Sequence, residues 1–301
     1  MSLRAGTRGS MLAWTQTNWV LERLGAADAE LAAQPVRIET RGDLDQRTPL
    51  SALAGTGLFV KELEAALLRG EIDFAVHSLK DVPFEISPGC RLFHLCREDP
   101  RDALITPSGS LSALPHGALV GTGSPRRIAQ LLAVRPDLRF SDLRGNVETR
   151  LRKLESGQYQ AIVLACAGLV RLGWEDRITE RLDPEICLPA FGQGILALEC
   201  REDRIDLGER LRAVCDPVTE SVATAERTLM RALGGGCKTP LAALAEPSGR
   251  GLVLRGMAGN EREGRVVRDR WEGAIVDAPA AAVAMAGRLR GCARREGIHL
   301  D

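Results

Sequence analysis

Lysine is nearly missing from this chain: of 40 basic residues only Lys61, Lys80, Lys153 and Lys238 are lysines, and the other 36 are arginines. An excess of either charge is missing too, because 40 acidic residues bring the formal net charge to zero. That balance argues against a general nucleic-acid binder, which carries a strong basic excess. With one tyrosine and six phenylalanines, the chain also has few platforms on which bases would stack. The eight cysteines form no C-x-x-C pair, and no histidine stands at zinc-ligand spacing, so neither a metal site nor a disulfide framework is expected. No uninterrupted apolar run approaches the ~20 residues needed to cross a bilayer. Met1 to Ser10 holds two arginines but no apolar stretch of the kind found in a signal peptide. Free thiols in a reducing cytoplasm are the expectation that fits best.

What is present describes an ordinary globular chain. Its 301 residues are 45% hydrophobic and 27% charged, enough for about two or three domains of ~100–150 residues. The arginine bias has two readings, the codon usage of a GC-rich genome or guanidinium forks for carboxylates and phosphates. Position, not number, has to separate them.

Strand and helix signals alternate over the first ~95 residues. Val36 to Thr40 is β-rich; Phe59, Leu63, Ala66 and Leu67 recur at helical spacing up to Gly70; Phe74 to Val76 reads as a buried strand. This βαβ order predicts a parallel sheet with helices on its faces. A second α/β block runs from about Ala103 to Ala190. Strands are expected at Ala118–Gly121, Leu138–Leu143 and Ala161–Ala165, with helices starting at Ser124-Pro125 and at Asn146. Asp183-Pro184 and Leu188-Pro189 mark a linker, followed by a strand at Ile195–Cys200. The last ~85 residues predict a helix over Thr219–Leu233 and an antiparallel pair, Leu252–Met257 and Arg265–Trp271, turning around Gly259-Asn260. An Ala-rich helix over Ala280–Ala293 closes the chain.

Three segments suggest chemistry. His77-Ser78-Leu79-Lys80-Asp81-Val82-Pro83 follows a strand directly, where open α/β sheets place their ligands; a solvated turn is the plainer account. Gly121-Thr122-Gly123-Ser124-Pro125-Arg126-Arg127 joins a Gly-rich turn to a helix start, which offers backbone N–H groups to an anion. Leu143-Arg144-Gly145-Asn146, with Arg150, repeats that theme, and together the two suggest a polyanionic ligand. Gly234-Gly235-Gly236-Cys237 strips side chains from around one thiol, or else is a helix cap with an incidental cysteine. None of His77, His94, His116 and His299 is assigned to Cys237 as a catalytic partner by the sequence.

These segments occur in one order with Thr7-Arg8-Gly9-Ser10, Thr40-Arg41-Gly42-Asp43, Gly57-Leu58-Phe59-Val60-Lys61-Glu62-Leu63, Arg97-Glu98-Asp99-Pro100-Arg101-Asp102-Ala103 and Leu188-Pro189-Ala190-Phe191-Gly192-Gln193-Gly194. In this the chain resembles the hydroxymethylbilane synthases, or porphobilinogen deaminases, as far as about Ala245 and more weakly beyond. The resemblance implies an α/β fold with two type II periplasmic-binding-protein-like domains around a cleft and a small α+β C-terminal domain. The implied boundaries are 1–96 with 193–215, then 97–192, then 216–301. It implies a transferase of porphyrin and heme biosynthesis that joins four porphobilinogen molecules head to tail, releases ammonia, and frees hydroxymethylbilane with water. The implied cofactor is a dipyrromethane held by a thioether at Cys237, with no metal. The implied protein is a cytoplasmic monomer whose partner is its small-molecule substrate, not nucleic acid or membrane.

By family position Asp81 is the catalytic group, able to hydrogen-bond pyrrole N–H groups and stabilise the cation left when ammonia departs. The same resemblance makes Arg8, Ser10, Arg126, Arg127, Arg144, Arg150 and Arg171 ligands for the ring carboxylates. Ser78, Lys80, Thr122, Ser124, Asn146, Gln193 and Arg201 are further candidates. One departure stands out: the family's usual Gly-Lys-Gly before Leu-Phe is Gly55-Thr56-Gly57 here, which removes a lysine from a segment implied to cover the cleft. A non-catalytic anion-binding module on the same scaffold is the alternative, since fold alone does not decide function.

Overall fold

The computed structural model describes residues 2–40, 60–234, 239–249 and 251–300. The readings placed on Arg41 to Phe59, among them Gly42-Asp43 and Thr56, and on Gly235, Gly236, Cys237 and Lys238 lie outside the described residues. By their internal contacts the residues form two compact units. One takes the described chain as far as Glu98 together with Gly194–Glu220; the other takes Asp99–Gln193 and the chain from Ser221 onward.

In the first unit β1 (Leu3–Arg8) leads into α1 (Met11–Ala27) and β2 (Ala33–Ile38). Ser10 sits in an extended conformation before α1, and its Oγ accepts the Ala13 N–H at 3.3 Å, a side-chain cap. α2 (Lys61–Leu68) buries Leu63, Ala66 and Leu67, the helical spacing read from the sequence. Gly70 follows at φ +70°, a left-handed turn that glycine takes without a Cβ penalty. β3 (Phe74–Ser78), β4 (Cys90–Arg97) and, much later in the chain, a returning strand (Ile195–Arg201) complete this sheet.

The sheet is mixed and not purely parallel, a correction to the βαβ expectation. β1 runs parallel to β2 and β3, but the returning strand runs antiparallel to β3 and β4, with Leu196 opposite Ser78 and Cys200 opposite Phe74. That strand begins at the end where β3 finishes, so it points the opposite way. Its buried run from Ile195 to Cys200 has no polar alternation except Glu199, as expected of a strand covered on both faces. Ala5, Val20, Leu24, Leu31, Phe74, Leu196 and Leu198 pack into one core cluster.

In the second unit β5 (Asp102–Ile105), β6 (Leu119–Gly121), β7 (Arg139–Ser141), β8 (Ala161–Ala165) and β9 (Glu180–Arg181) form a sheet in the order β7-β6-β8-β5-β9. β6 is parallel to β7 and β8, whereas β5 is antiparallel to β8 and β9. A helix begins just beyond each parallel strand: α3 (Pro125–Val134), α4 (Val147–Glu155) and α5 (Cys166–Arg171). Their first turns therefore lie at one edge of the sheet.

The strand returning to the first sheet is β10, and α6 (Ile205–Ala213) and α7 (Pro217–Leu233) follow it. The chain ends in an antiparallel sheet of β11 (Leu241–Ser248), β12 (Gly251–Asn260) and β13 (Arg265–Ala274), then α8 (Ala278–Arg295). A Cβ at Gly256 would lie within 3.0 Å of Leu229, Leu289 and Met285, so side chains from both helices close on the sheet there. The β12–β13 turn comes later than the sequence suggested, at residues 261–264, where Gly264 takes φ +65°. Gly259 stays in the strand, and a Cβ there would meet Ala129 of α3 at 3.1 Å. The α/β class holds.

Candidate functional site

In the first unit the His77–Pro83 motif forms the end of β3 and one 3-10 turn, Leu79–Asp81. Leu79 and Val82 are fully or almost fully buried. They anchor the turn from both sides of Lys80 and Asp81, so those two polar groups ride on a fixed backbone. Asp81 keeps about a third of its side chain exposed (35%), and its Oδ2 lies 3.9 Å from Arg8 Nη1. That separation is too long for a hydrogen bond but close enough for charge attraction. Arg8 ends β1 and Ser10 caps α1, so both belong to the same strand ends. Ser78 Oγ donates to Gln16 Oε1 at 3.2 Å.

His77 does not join this cluster. Its side chain turns inward, with Nε2 2.9 Å from Glu199 Oε2, and both residues are buried. Arg201 is also held apart. It ends β10 opposite Cys90, whereas Leu196 at the other end of that strand lies opposite Ser78. Its Nε donates to Asp203 Oδ1 at 2.9 Å.

In the second unit Thr122, Ser124, Arg126 and Arg127 lie at the start of α3, and Arg144, Asn146 and Arg150 at the start of α4. Arg171 is the last residue of α5. Asn146 Oδ1 accepts the Thr149 N–H at 2.9 Å, the cap expected from sequence. Ser124 occupies the cap position of α3 but makes no capping bond with its side chain. Thr122 Oγ1 accepts the Ser124 N–H at 3.3 Å. Arg150 Nε donates to Gly145 O at 2.8 Å, and Lys153 Nζ donates to Arg144 O at 3.1 Å. The glycines of the α3 loop have packing reasons of their own. A Cβ at Gly121 would come within 2.9 Å of the Tyr159 ring, and one at Gly123 within 2.2 Å of Asp142 Oδ1.

Arg126 and Arg127 are buried, not displayed. Both hold Asp102, the first residue of β5, whose side chain is fully enclosed. Arg126 Nη1 donates to Asp102 Oδ2 and to Leu188 O, each at 2.7 Å. Arg127 donates to Asp102 Oδ1 through Nε at 3.0 Å and Nη2 at 2.7 Å, and to Val163 O through Nη1 at 2.8 Å. Gln193 Nε2 bonds Pro100 O at 2.7 Å and Asp102 Oδ1 at 3.0 Å, so that side chain also points inward. Burial alone would raise the Asp102 pKa; the two guanidinium groups outweigh it and hold the carboxyl far below the usual range.

Sequence reasoning passed over Asp102, although it stood inside a quoted motif. The available signal was an acid opening a strand whose next residues, Ala103, Leu104 and Ile105, are all apolar. A carboxylate there needs buried cations, and two arginines stood together elsewhere in the same block.

Comparison with known proteins draws these parts together. Residues 3–209 match the family model described as porphobilinogen deaminase, dipyromethane cofactor binding domain, and residues 221–290 match its C-terminal domain. The chain belongs to the porphobilinogen deaminase family. Similar relatives include the porphobilinogen deaminase of Roseiflexus castenholzii, 48% identical over 96% of this chain and 95% of the relative. That of Geobacter metallireducens is 45% identical over 95% and 91%. Among solved structures, the VFT2 domain of Bordetella pertussis BvgS in a double-mutant form is similar at a TM-score of 0.43 and 16% identity, covering 71% of this chain and 86% of that one. That likeness is too slight to argue from. With membership of the porphobilinogen deaminase family come hydroxymethylbilane synthase activity, a transferase reaction of tetrapyrrole biosynthesis, and the dipyrromethane cofactor. Among the described residues, no helix is long and apolar enough to cross a membrane.

The residues present fit such a cofactor. Each of its pyrroles carries an acetate and a propionate, so it calls for cationic donors and helix N-termini. The Nε and Nη2 edge of Arg126 makes no hydrogen bond among the described residues, and the first turn of α3 is set beside that of α4 at the same sheet edge.

Proposed function

We propose that Asp81 is the catalytic carboxylate of the family reaction and that Cys237 carries the dipyrromethane through a thioether. When bound, that group supplies the pyrrole carbon to which the first porphobilinogen is joined. Asp81 holds the pyrrole N–H of the incoming ring, stabilises the positive charge that appears as ammonia leaves, and takes part in moving the final proton. The observation that carries this reading is the pinned turn after β3. It leaves Asp81 partly exposed, with Arg8 near enough for charge attraction but beyond hydrogen-bond distance.

Arg8, Ser10, Ser78 and Lys80 in the first unit are read as chain and carboxylate ligands beside Asp81. Thr122, Ser124, Arg126, Arg144, Asn146, Arg150 and Arg171 form the corresponding set in the second. Charge-assisted bonds from arginine to carboxylate are short and directional, which suits rings that differ only in position along a growing chain. Gln193 is read as holding Asp102 instead of substrate. A division into residues 1–96 with 193–215, 97–192 and 216–301 accompanies this reading, supported by three separate sheets. So do a monomeric state and a cytoplasmic setting.

The test joins mass and turnover. The intact protein should exceed its chain mass by one dipyrromethane, and Cys237→Ser should abolish the excess. Asp81→Asn should keep the excess and lose turnover. An adduct mapped to Cys215 or any other cysteine overturns the attachment, and an active Asp81→Asn overturns the catalytic role.

A further inference from the structure

Asp102 accepts five donors: Arg126 Nη1 and Cys187 Sγ at Oδ2, and Arg127 Nε, Arg127 Nη2 and Gln193 Nε2 at Oδ1. Two cations beside one buried anion leave a net charge of +1. The two guanidinium groups are not used alike. Every nitrogen of Arg127 is engaged inside the protein, with Asp102 and with Val163 O. Arg126 is held through Nη1 alone, by Asp102, Leu188 O and, at 3.6 Å, Cys187 Sγ. Its Nε and Nη2 edge, the fork that suits a carboxylate, has no partner among the described residues.

Leu188 is itself fixed. Gln130 Oε1 accepts its N–H at 2.8 Å, and Gln130 Nε2 donates to its carbonyl at 3.0 Å. The acceptors that hold Nη1 of Arg126 are thus locked in turn. An arginine held by one nitrogen between a buried carboxylate and a clamped carbonyl has little rotational freedom left.

We propose that Asp102 is a positioning residue that splits the arginine pair into two roles, Arg127 as an internal counter-charge and Arg126 as the one guanidinium aimed at a ligand carboxylate. This rests on the reading above that Arg126 meets the acidic ring substituents. Arg127 then acts only through Asp102. It permits a full carboxylate to be buried, and that carboxylate orients Arg126.

The experiment compares Arg126→Lys with Arg127→Lys, both of which keep a cation in place. Arg126→Lys should raise the KM for porphobilinogen about tenfold or more, as expected for a lost charge-assisted bond. Arg127→Lys should lower the thermal midpoint but leave KM within about threefold. Asp102→Asn should raise KM as Arg126→Lys does, because the amide must turn its NH2 toward other donors. Adding Arg127→Gln to Asp102→Asn gives that amide an acceptor, keeps the net charge at +1, and should bring KM back toward wild type. Circular dichroism and the intact mass establish for each variant that the fold and cofactor are present. Equal, large KM increases in both lysine variants overturn the division of roles. Equal, negligible changes overturn it too, and with it the assignment of Arg126 to the ligand, while leaving Asp81 and Cys237 to their own tests.

Discussion

Two ion pairs in this molecule use the same chemistry for opposite ends. In the first unit Arg8 and Asp81 face each other at 3.9 Å with about a fifth and a third of their side chains exposed. In the second, Arg126 and Arg127 grip a fully enclosed Asp102 at 2.7 Å. Enclosure makes the second pair obligatory, since a buried charge without its partner is costly whereas the intact group is tolerated. Partial exposure makes the first pair loose, because water competes for both partners and the net attraction is small. A loose carboxylate is available to a ligand, and a clamped one is available only to the fold. The family motifs hold both kinds in similar-looking strings of Arg, Gly and Asp.

The comparison is broken most directly at Asp81. Asp81→Asn should cut single-turnover rates by about 10²–10⁴-fold, the range for a general acid–base group, and leave the unfolding midpoint in urea almost unchanged. A large loss of stability would place Asp81 with the clamped carboxylates. Asp81→Glu keeps the charge, displaced by one methylene, and should lose less activity than the amide.

Asp102→Ala should do the reverse. Removing the anion leaves two cations enclosed together and should cost about 3–5 kcal/mol of stability, the usual penalty for breaking a buried pair. Urea titration measures it, and a change below about 1 kcal/mol would show that the pair is not enclosed in solution.

Acid should separate the two sites as well. The folded-state pKa of Asp102 is depressed, so its stabilisation is present above the unfolded value of about 3.9 and is lost as pH falls below it. Because Arg126 and Arg127 hold that pKa far below the usual range, the contribution should drain away through the whole interval below about pH 4. In Asp102→Asn the slope of stability against pH over that interval should flatten. An unchanged slope would mean that other carboxylates carry the acid sensitivity.

The smallest effect concerns thiols. Burial pushes Cys90, Cys166, Cys187 and Cys215 up to about 12 and Cys200 to about 11. The thiolate is the reactive form, so these five should resist iodoacetamide at pH 8 in the folded protein and react once it is unfolded. Peptide mapping that finds Cys187 alkylated first would mean that the Asp102 cluster opens readily.

Local order was legible before any fold was known. Ala161 to Ala165 reads as a strand because an apolar run bounded by turn residues has few other options, and the structure places a strand over those residues. Asn146 caps its helix because a short acceptor side chain there satisfies an orphan N–H. Ser78, Lys80 and Asp81 could be placed at a strand end by their position after Phe74 to Val76. Other features are pairings between residues far apart in the chain, which no local pattern encodes. The direction of β10 depends on where the chain re-enters the first unit. The inward turn of His77 depends on Glu199, 122 residues away. The separation of Arg201 from Asp81 depends on the register of β10 against β3 and β4. Arg126 and Arg127 show the limit most clearly. Two arginines after a Gly-rich turn read as anion ligands, because sequence reports charge and spacing only. Tertiary structure set the enclosed carboxylate of Asp102 against them, and because a desolvated carboxylate must keep its cations, it takes up Arg127 wholly and leaves Arg126 only the edge opposite Nη1.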